Sequence, residues 1–188
     1  MNYTDYKNVR DAVWRILIED KINALPVKIA PICKRRGITV KLCDADDHEG
    51  TTNIVDGKPV IFISSKIKNK GRMRFTIAHE LGHILLGHVS EENYRGEKNK
   101  AYDVSMEREA DLFASRLLAP ACVLWSCNAT TTKEIKKLCN VSYRAASSRA
   151  RRLQVLTRRK RFLCSPRERI VYEQFLPFIR KYRTKGSI

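Results

Sequence analysis

Residues 72–88 read RMRFTIAHELGHILLGH, and this stretch decides how the rest of the chain is interpreted. Apolar side chains occur almost all the way round a helical projection of it, which predicts a largely buried α-helix over these residues. His79, Glu80 and His83 interrupt that apolar surface. A buried carboxylate must be paired, protonated or bound to a cation, because an isolated buried charge is costly.

His79 and His83 are four residues apart, so both imidazoles project from one face of a helix, one turn apart. Two imidazoles in that arrangement can bind the same metal ion. The pattern is H-E-x-x-H, in which the glutamate stands beside the metal as a general base. Two core histidines with ordinary hydrogen bonds are the alternative, and zinc is the favoured interpretation. We therefore predict His79 and His83 as zinc ligands and Glu80 as the catalytic base.

The length and composition favour a globular protein of one domain, or of one domain with a small appendage. The amino-terminal residues are polar and lack the apolar segment of a secretory signal, and no apolar run is long enough to cross a membrane. The six cysteines include no C-x-x-C pair, which favours reduced thiols. We therefore predict a cytoplasmic protein that does not associate with membranes.

Positive charge is concentrated in the last part of the chain. The formal net charge is +17, and residues 133–188 contain 17 of the 37 Lys and Arg residues but only 3 of the 20 Asp and Glu residues. Such asymmetry predicts an acidic partner, and DNA is the usual candidate. The alternative is a solvated cationic face on helices that pack against the rest of the chain. The sequence leaves both interpretations open.

The elements ahead of residues 72–88 predict a small sheet. The predicted helices there cover residues 8–20 and 27–36, and the predicted strands cover residues 38–42, 51–55 and 60–64. A hairpin turn at residues 56–59 joins the last two strands. We therefore predict an α+β chain in which a three-stranded sheet packs on the H-E-x-x-H helix.

A second helix is predicted over residues 104–119, after a polar loop, and Glu107 and Asp111 lie on one face of it. Glu107 is placed to meet the histidines as the third metal ligand, and Asp111 can accept the second N–H of a ligand histidine. Glu109 is expected to point away, toward Arg116 or water.

The residues after His83 exclude the metzincin pattern, which would need glycine and histidine where this chain has Leu86 and Val89. His88 is five residues from His83, which turns it off the face of the two histidines. We therefore interpret His88 as a histidine at the end of the helix.

Residues 133–140 and 142–153 fit two short helices joined by a tight turn, the helix-turn-helix pattern. The second of these helices carries the candidate nucleic-acid contacts Arg144, Arg149, Arg151 and Arg152. A final helix is predicted over residues 166–182. We therefore predict that the chain divides into a catalytic domain over residues 1–125 and a basic helical region over residues 126–188.

The segments RFTIAHELGHILLGH and MEREADLFASRLLAP together resemble the ImmA/IrrE metallopeptidase family, and the likeness covers about residues 25–155. The resemblance implies a minimal zincin fold of the glutamate-zincin kind, with His79, His83 and Glu107 as zinc ligands and Glu80 as base. It also implies a protein substrate, a helix-turn-helix repressor of a mobile element or stress operon. The short region after residue 153 favours the phage or conjugative-element type of member.

Further expectations concern the substrate. Tyr94 or Tyr102, from the loop before the second helix, is a candidate oxyanion donor, and a surface or packing role is the alternative. The substrate is expected to lie as an added strand along residues 51–55. The competing functions are a regulator that binds DNA, or one that masks a repressor without cutting it, each with a non-catalytic zinc site.

Overall fold

The structure is a computed structural model of the 188-residue chain and describes residues 3–46, 48–89 and 100–185, without the side chains of residues 3, 100–103 and 185. The elements are α1 (Tyr3–Glu19), α2 (Ile29–Arg35), β1 (Thr39–Cys43), β2 (Gly50–Val55), β3 (Lys58–Ser64), α3 (Lys70–Leu85), α4 (Lys100–Leu118), α5 (Ala121–Ser126), α6 (Thr132–Cys139), α7 (Tyr143–Arg158) and α8 (Pro166–Lys185). The predicted α+β class with a small three-stranded sheet is confirmed.

The sheet has the strand order β1-β3-β2. β1 runs parallel to β3, and β2 runs antiparallel to β3 with Thr52 opposite Ile61. The β2–β3 hairpin turns at Asp56 and Gly57, whose φ values of 50° and 70° are those of a primed turn, which matches the twist of the strands. Among the described residues, β2 is therefore an edge strand, because β3 pairs with only one of its two sides.

Two compact units make up the chain. One consists of Met1–Ala12 and Lys28–Ala114, and the other of Val13–Val27 and Ser115–Ile188. The core of the first unit includes Ile61 and Ile63 of β3 with Ala78 and Leu81 of α3, all of them fully buried. The sheet and the helices α3 and most of α4 thus belong to one unit.

α3 begins after Asn69, whose side chain accepts a hydrogen bond from the backbone N–H of Arg72 at 3.0 Å. It ends at Leu85, three residues before the predicted end, and Gly87 follows with a left-handed φ of +77°. The prediction of a helix buried nearly all round is wrong for part of its surface. Phe75 is only half-buried, because it faces an open cleft.

α4 begins at Lys100, four residues earlier than predicted. It approaches α3 closely at Gly82, where a Cβ would lie 3.0 Å from Cδ1 of Phe113 and 3.2 Å from its Cβ. Ala110 and Ala114, the small residues on this helix, are fully buried. A side chain at position 82 would push the two helices apart, so glycine permits the approach.

The second unit contains the predicted pair of helices near the carboxyl end, α6 and α7. Thr131 and Glu134 form a reciprocal capping box at the start of α6, and Asn140 ends it in the left-handed conformation with φ 50° and ψ 55°. Ser142 caps α7 by accepting from the backbone N–H of Ala145. The three-residue connection is that of a tight helix pair, and DNA binding by it stays a prediction.

In the described ranges, none of the helices has the combined length and apolarity that crossing a bilayer requires. All six cysteines lie in the described ranges, and none of them forms a disulfide bond. Burial raises the pKa of Cys33 and of Cys127 to about 11, so these two thiols stay protonated and act as apolar filling.

Candidate metal centre

The three predicted ligand side chains point to one place. His79 Nε2 lies 3.0 Å from His83 Nε2, because the two residues are one turn apart on α3. Glu107 reaches them from α4, with Oε2 3.2 Å from His79 Nε2 and Oε1 3.2 Å from His83 Nε2. One ligand atom from each residue lies within 4.8 Å of the others. The structure thus brings together residues that the sequence separates by up to 28 positions.

These separations suit a zinc ion. Zinc binds imidazole nitrogen and carboxylate oxygen at about 2.0–2.2 Å in tetrahedral sites, which places neighbouring ligand atoms about 3.3–3.6 Å apart. The observed separations of 3.0, 3.2 and 3.2 Å are close to that spacing. Two imidazoles and one carboxylate are also the ligand set of catalytic zinc sites that keep one position open. The residues present therefore fit the metal.

Asp111 determines which nitrogen of His79 faces the other ligands. Its Oδ1 lies 3.0 Å from His79 Nδ1, so Nδ1 donates and Nε2 presents its lone pair to the site. Burial lowers the pKa of His79, but the hydrogen bond to Asp111 and the surrounding carboxylates raise it above its ordinary value. Burial, with repulsion from His79, lowers the pKa of His83 to about 4. His83 is therefore neutral near pH 7.

Glu80 lies next to the predicted ligands, and a hydrogen bond from a residue of β2 orients its side chain. The hydroxyl of Thr52 donates to Glu80 Oε2 at 2.9 Å, and Glu80 is 8% exposed. Burial raises the pKa of Glu80 above its usual range, and the hydrogen bond from Thr52 and the nearby His79 oppose that effect. A carboxylate with a raised pKa is suited to take up and release a proton near neutral pH.

Gly50 lets β2 pass close to Glu80. A Cβ at position 50 would lie 2.6 Å from Cγ2 of Thr76 and 3.2 Å from Oε1 of Glu80. The first distance is too short for two carbon atoms, so a side chain there would displace either the strand or the helix. Sequence reasoning missed both Gly50 and Thr52, because no local pattern shows which strand residue meets a helix.

A cleft of about 430 Å³ surrounds these groups. Its lining combines polar groups of β2, the exposed side of α3 and the acidic residues of α4: Glu49, Gly50, Thr51, Thr52, Phe75, Thr76, His79, Glu80, His83, Val89, Glu107 and Asp111. A cleft of this size with convergent polar groups is the usual form of an active site.

A sequence profile of the peptidase M78 family, described as the IrrE N-terminal-like domain, matches residues 33–151. The matched region covers more than half of the chain and includes every residue of the site described above. The chain belongs to the peptidase M78 family. Comparison with curated proteins finds no match. Membership of the M78 family confirms the predicted resemblance and implies a metal-dependent peptidase with a protein substrate.

In this M78 peptidase, His88 lies beside the site rather than off it. Its Nδ1 is 3.1 Å from His83 Nδ1 and its Nε2 is 3.4 Å from Glu109 Oε2. The expectation that Glu109 faces Arg116 or water is wrong. Because α3 ends early and Gly87 turns the chain back, His88 lies behind His83 instead of continuing round the helix.

Neither candidate oxyanion donor of the M78 peptidase has a side chain in the part of the chain that the structure describes. Tyr94 lies outside the described residues. Tyr102 lies in the first turn of α4 and not in the preceding loop as predicted, and its side chain is outside the described part of the structure. Their role in the reaction stays a prediction.

The four arginines predicted as nucleic-acid contacts do not share one environment. Arg144 and Arg151 are exposed on α7, and Arg152 is partly exposed. Arg149 is only 5% exposed, and its Nε donates to the carbonyl of Ala119 at 2.6 Å. The prediction that Arg149 contacts nucleic acid is therefore corrected. Its side chain faces the interior of its unit, because it lies on the buried side of α7.

Proposed function

We propose that this chain is a zinc-dependent endopeptidase that cleaves a helix-turn-helix transcriptional repressor. The observation that carries the proposal is the approach of Glu107 to both histidines, at 3.2 Å each, beside the buried carboxylate of Glu80. A structural zinc site normally has four protein ligands and no neighbouring base. Three ligands with an adjacent glutamate are the arrangement of a hydrolytic site.

Each residue has a separate task in peptide hydrolysis. Zinc held by His79, His83 and Glu107 would supply a Lewis acid for the scissile carbonyl and would lower the pKa of water. Glu80 takes the proton from the attacking water and delivers it to the leaving amine. Since Oε2 of Glu80 accepts from Thr52, Oε1 is the oxygen left to carry that proton. Asp111 keeps His79 in the tautomer that ligation requires.

The substrate is proposed to bind as an extended strand along β2. The strand lies at the edge of the sheet, and Gly50, Thr51 and Thr52 line the cleft. Backbone hydrogen bonds to such an edge hold a peptide without regard to most of its sequence. The backbone N–H of Ile54 points away from β3, because the residues on either side of it, Asn53 and Val55, are the ones hydrogen-bonded to that strand. Proline in place of Ile54 is therefore expected to raise KM for a protein substrate, and unchanged cleavage by this variant would contradict this binding mode.

The repressor as substrate rests on the family resemblance. The direct experiment incubates the purified, zinc-loaded chain with the helix-turn-helix repressor encoded beside its gene and measures the intact masses of the products. We expect two fragments, no cleavage after chelation, and no cleavage by Glu80→Gln with its zinc content unchanged. A wild-type chain without stoichiometric zinc would contradict the site, and biological activity retained by Glu80→Gln would favour a binder over a peptidase.

A second candidate function is DNA binding by the region of residues 126–188, which the domain division assigns to a separate basic helical part. The exposed cations Arg144 and Arg151 on α7, and Tyr143, which is 68% exposed beside them, favour it. Removing phosphate contacts should weaken binding and reduce its salt dependence. The test compares two variants of the whole chain. One carries Arg144→Ala together with Arg151→Ala, and the other carries Arg180→Ala, which removes an exposed cation of α8. No retained DNA at low salt contradicts this function.

A further inference from the structure

Two side chains that the proposed reaction does not use, His88 and Glu109, form a row with the ligand His83. His88 Nδ1 lies 3.1 Å from His83 Nδ1, and His88 Nε2 lies 3.4 Å from Glu109 Oε2. The contact is made to the ring nitrogen of His83 that does not face Glu107. His88 is thus placed behind a ligand and not as a ligand itself.

Metal binding by His83 allows one arrangement of protons along this row. A ligand imidazole is neutral and offers the lone pair of Nε2, so its proton is on Nδ1. That N–H has His88 Nδ1 at hydrogen-bond distance, which must then be unprotonated to accept. The proton of a neutral His88 is consequently on Nε2, the atom next to the carboxylate of Glu109.

The row is sheltered from solvent. The exposed fractions of the side chains are 13% for His83, 7% for His88 and 20% for Glu109. Glu109 also accepts a hydrogen bond from the hydroxyl of Ser105 at 3.4 Å. The backbone N–H of His88 donates to the carbonyl of His83 at 2.9 Å, which holds the turn after Gly87 in place. Hydrogen bonds in such surroundings are stronger than those exposed to water.

We propose that His88 and Glu109 are positioning residues, which hold His83 in the tautomer and ring orientation that zinc binding requires. The inference rests on the proposed zinc site. It gives each ligand imidazole a support on its outer nitrogen: a carboxylate for His79, from Asp111, and a second imidazole for His83. Such partners orient a ligand and increase its basicity.

Zinc affinity of the full chain, measured by competition with a chromophoric chelator, tests the proposal with a matched pair of variants. Asparagine at position 88 places its amide oxygen where Nδ1 lies and can still accept from His83, whereas leucine has the same branching and no acceptor. We expect His88→Leu to bind zinc about 10- to 100-fold more weakly. His88→Asn should retain most of the affinity, and Arg108→Ala, at an exposed neighbour of Glu109, should bind like the wild type.

The Nδ1–H proton of His83 provides a readout that a loss of packing alone would not change. In the zinc-loaded wild type we expect a downfield, slowly exchanging proton signal, kept in His88→Asn and lost in His88→Leu. Glu109→Ala should also lower zinc affinity, since His88 loses its acceptor, and this partly exposed position keeps the test available if His88→Leu does not fold.

Two results would overturn the proposal: equal zinc affinity of the wild type and His88→Leu, or equal losses in the leucine and asparagine variants. If His88→Leu does not fold, unchanged affinity in Glu109→Ala overturns it. A wild-type chain that binds no zinc would instead overturn the zinc site itself, so the two failures are distinguishable.

Discussion

Thr52 and Gly50 lie on the side of β2 that meets Glu80, one through a hydroxyl and the other through the lack of a side chain. Neither residue belongs to the group that could hold a metal ion. Both act on the orientation and the environment of the proposed base, so they should separate catalysis from zinc binding.

Replacement of Thr52 by valine is expected to lower kcat. Valine keeps the shape of threonine but removes the hydroxyl that donates to Glu80 at 2.9 Å. A hydrogen bond to a charged group contributes about 1.5–3 kcal/mol, so a loss of about tenfold or more in kcat is expected. Thr52→Ser, which keeps the donor, should lose much less. Equal rates for valine and serine variants would show that the hydroxyl has no role.

Gly50→Ala should impair both packing and activity. The new Cβ would meet Thr76 at 2.6 Å and the carboxylate of Glu80 at 3.2 Å, and overpacking of this kind costs about 1–3 kcal/mol. Denaturant unfolding should show that loss, and peptidase activity should fall further than zinc affinity, because the ligands are on α3 and α4. An alanine variant with wild-type stability and activity would contradict the close approach.

At the scale of elements, the position of Glu107, the proposed third ligand, depends on how α3 and α4 pack. Gly82 and Phe113 are a point of close approach between the two helices, and Glu107 is about two turns before Phe113 on α4. A change in the spacing of the two helices should therefore appear in zinc affinity.

Gly82→Ala tests that spacing. Its Cβ would lie 3.0–3.2 Å from atoms of Phe113, so α4 should shift outward and both stability and zinc affinity should decrease. Phe113→Leu in the same chain should recover part of the loss, because it removes ring atoms from the contact. A double-mutant cycle measures this coupling, and strictly additive effects would contradict it.

The capping box of α6 predicts a dependence of stability on pH. The pKa of Glu134 is lowered, first by the hydrogen bond from the backbone N–H of Thr131 and then by its hydroxyl. A lowered pKa stabilises the fold above the ordinary glutamate value of about 4.3, and this contribution is lost as pH falls through the lower folded value. Acid titration of unfolding should show it, and Glu134→Gln should remove that component. Thr131→Ala should cost about 1 kcal/mol.

At the scale of the whole molecule, zinc should stabilise the chain. An ion that binds only the folded form adds about 2.7 kcal/mol of stability at one hundred times its dissociation constant. We expect Tm, followed by circular dichroism, to rise with added zinc and to fall after chelation. His83→Ala should show no rise, since it removes one of three ligands. A wild-type Tm that does not change when zinc is added or chelated would contradict the metal centre.

Much of this arrangement could be predicted because it is local. The spacing of four between His79 and His83 places both rings on one helical face in any fold that keeps the helix. The face of the second helix on which Glu107 lies predicts it as the third ligand, and the family resemblance implies the same residue. The hairpin at Asp56 and Gly57 and the tight pair of α6 and α7 also follow from short patterns.

Only the tertiary structure decided the contacts between elements. Thr52 behind Glu80, Glu109 behind His88 and the burial of Arg149 each depend on which surfaces pack together. Helical and strand periodicity specify the face on which a side chain lies, but not the element that it meets, because that choice is made by packing across many residues. The sequence by itself predicted a pair of metal ligands and a base, and the packing of β2 and α4 against α3 decided which side chains surround them.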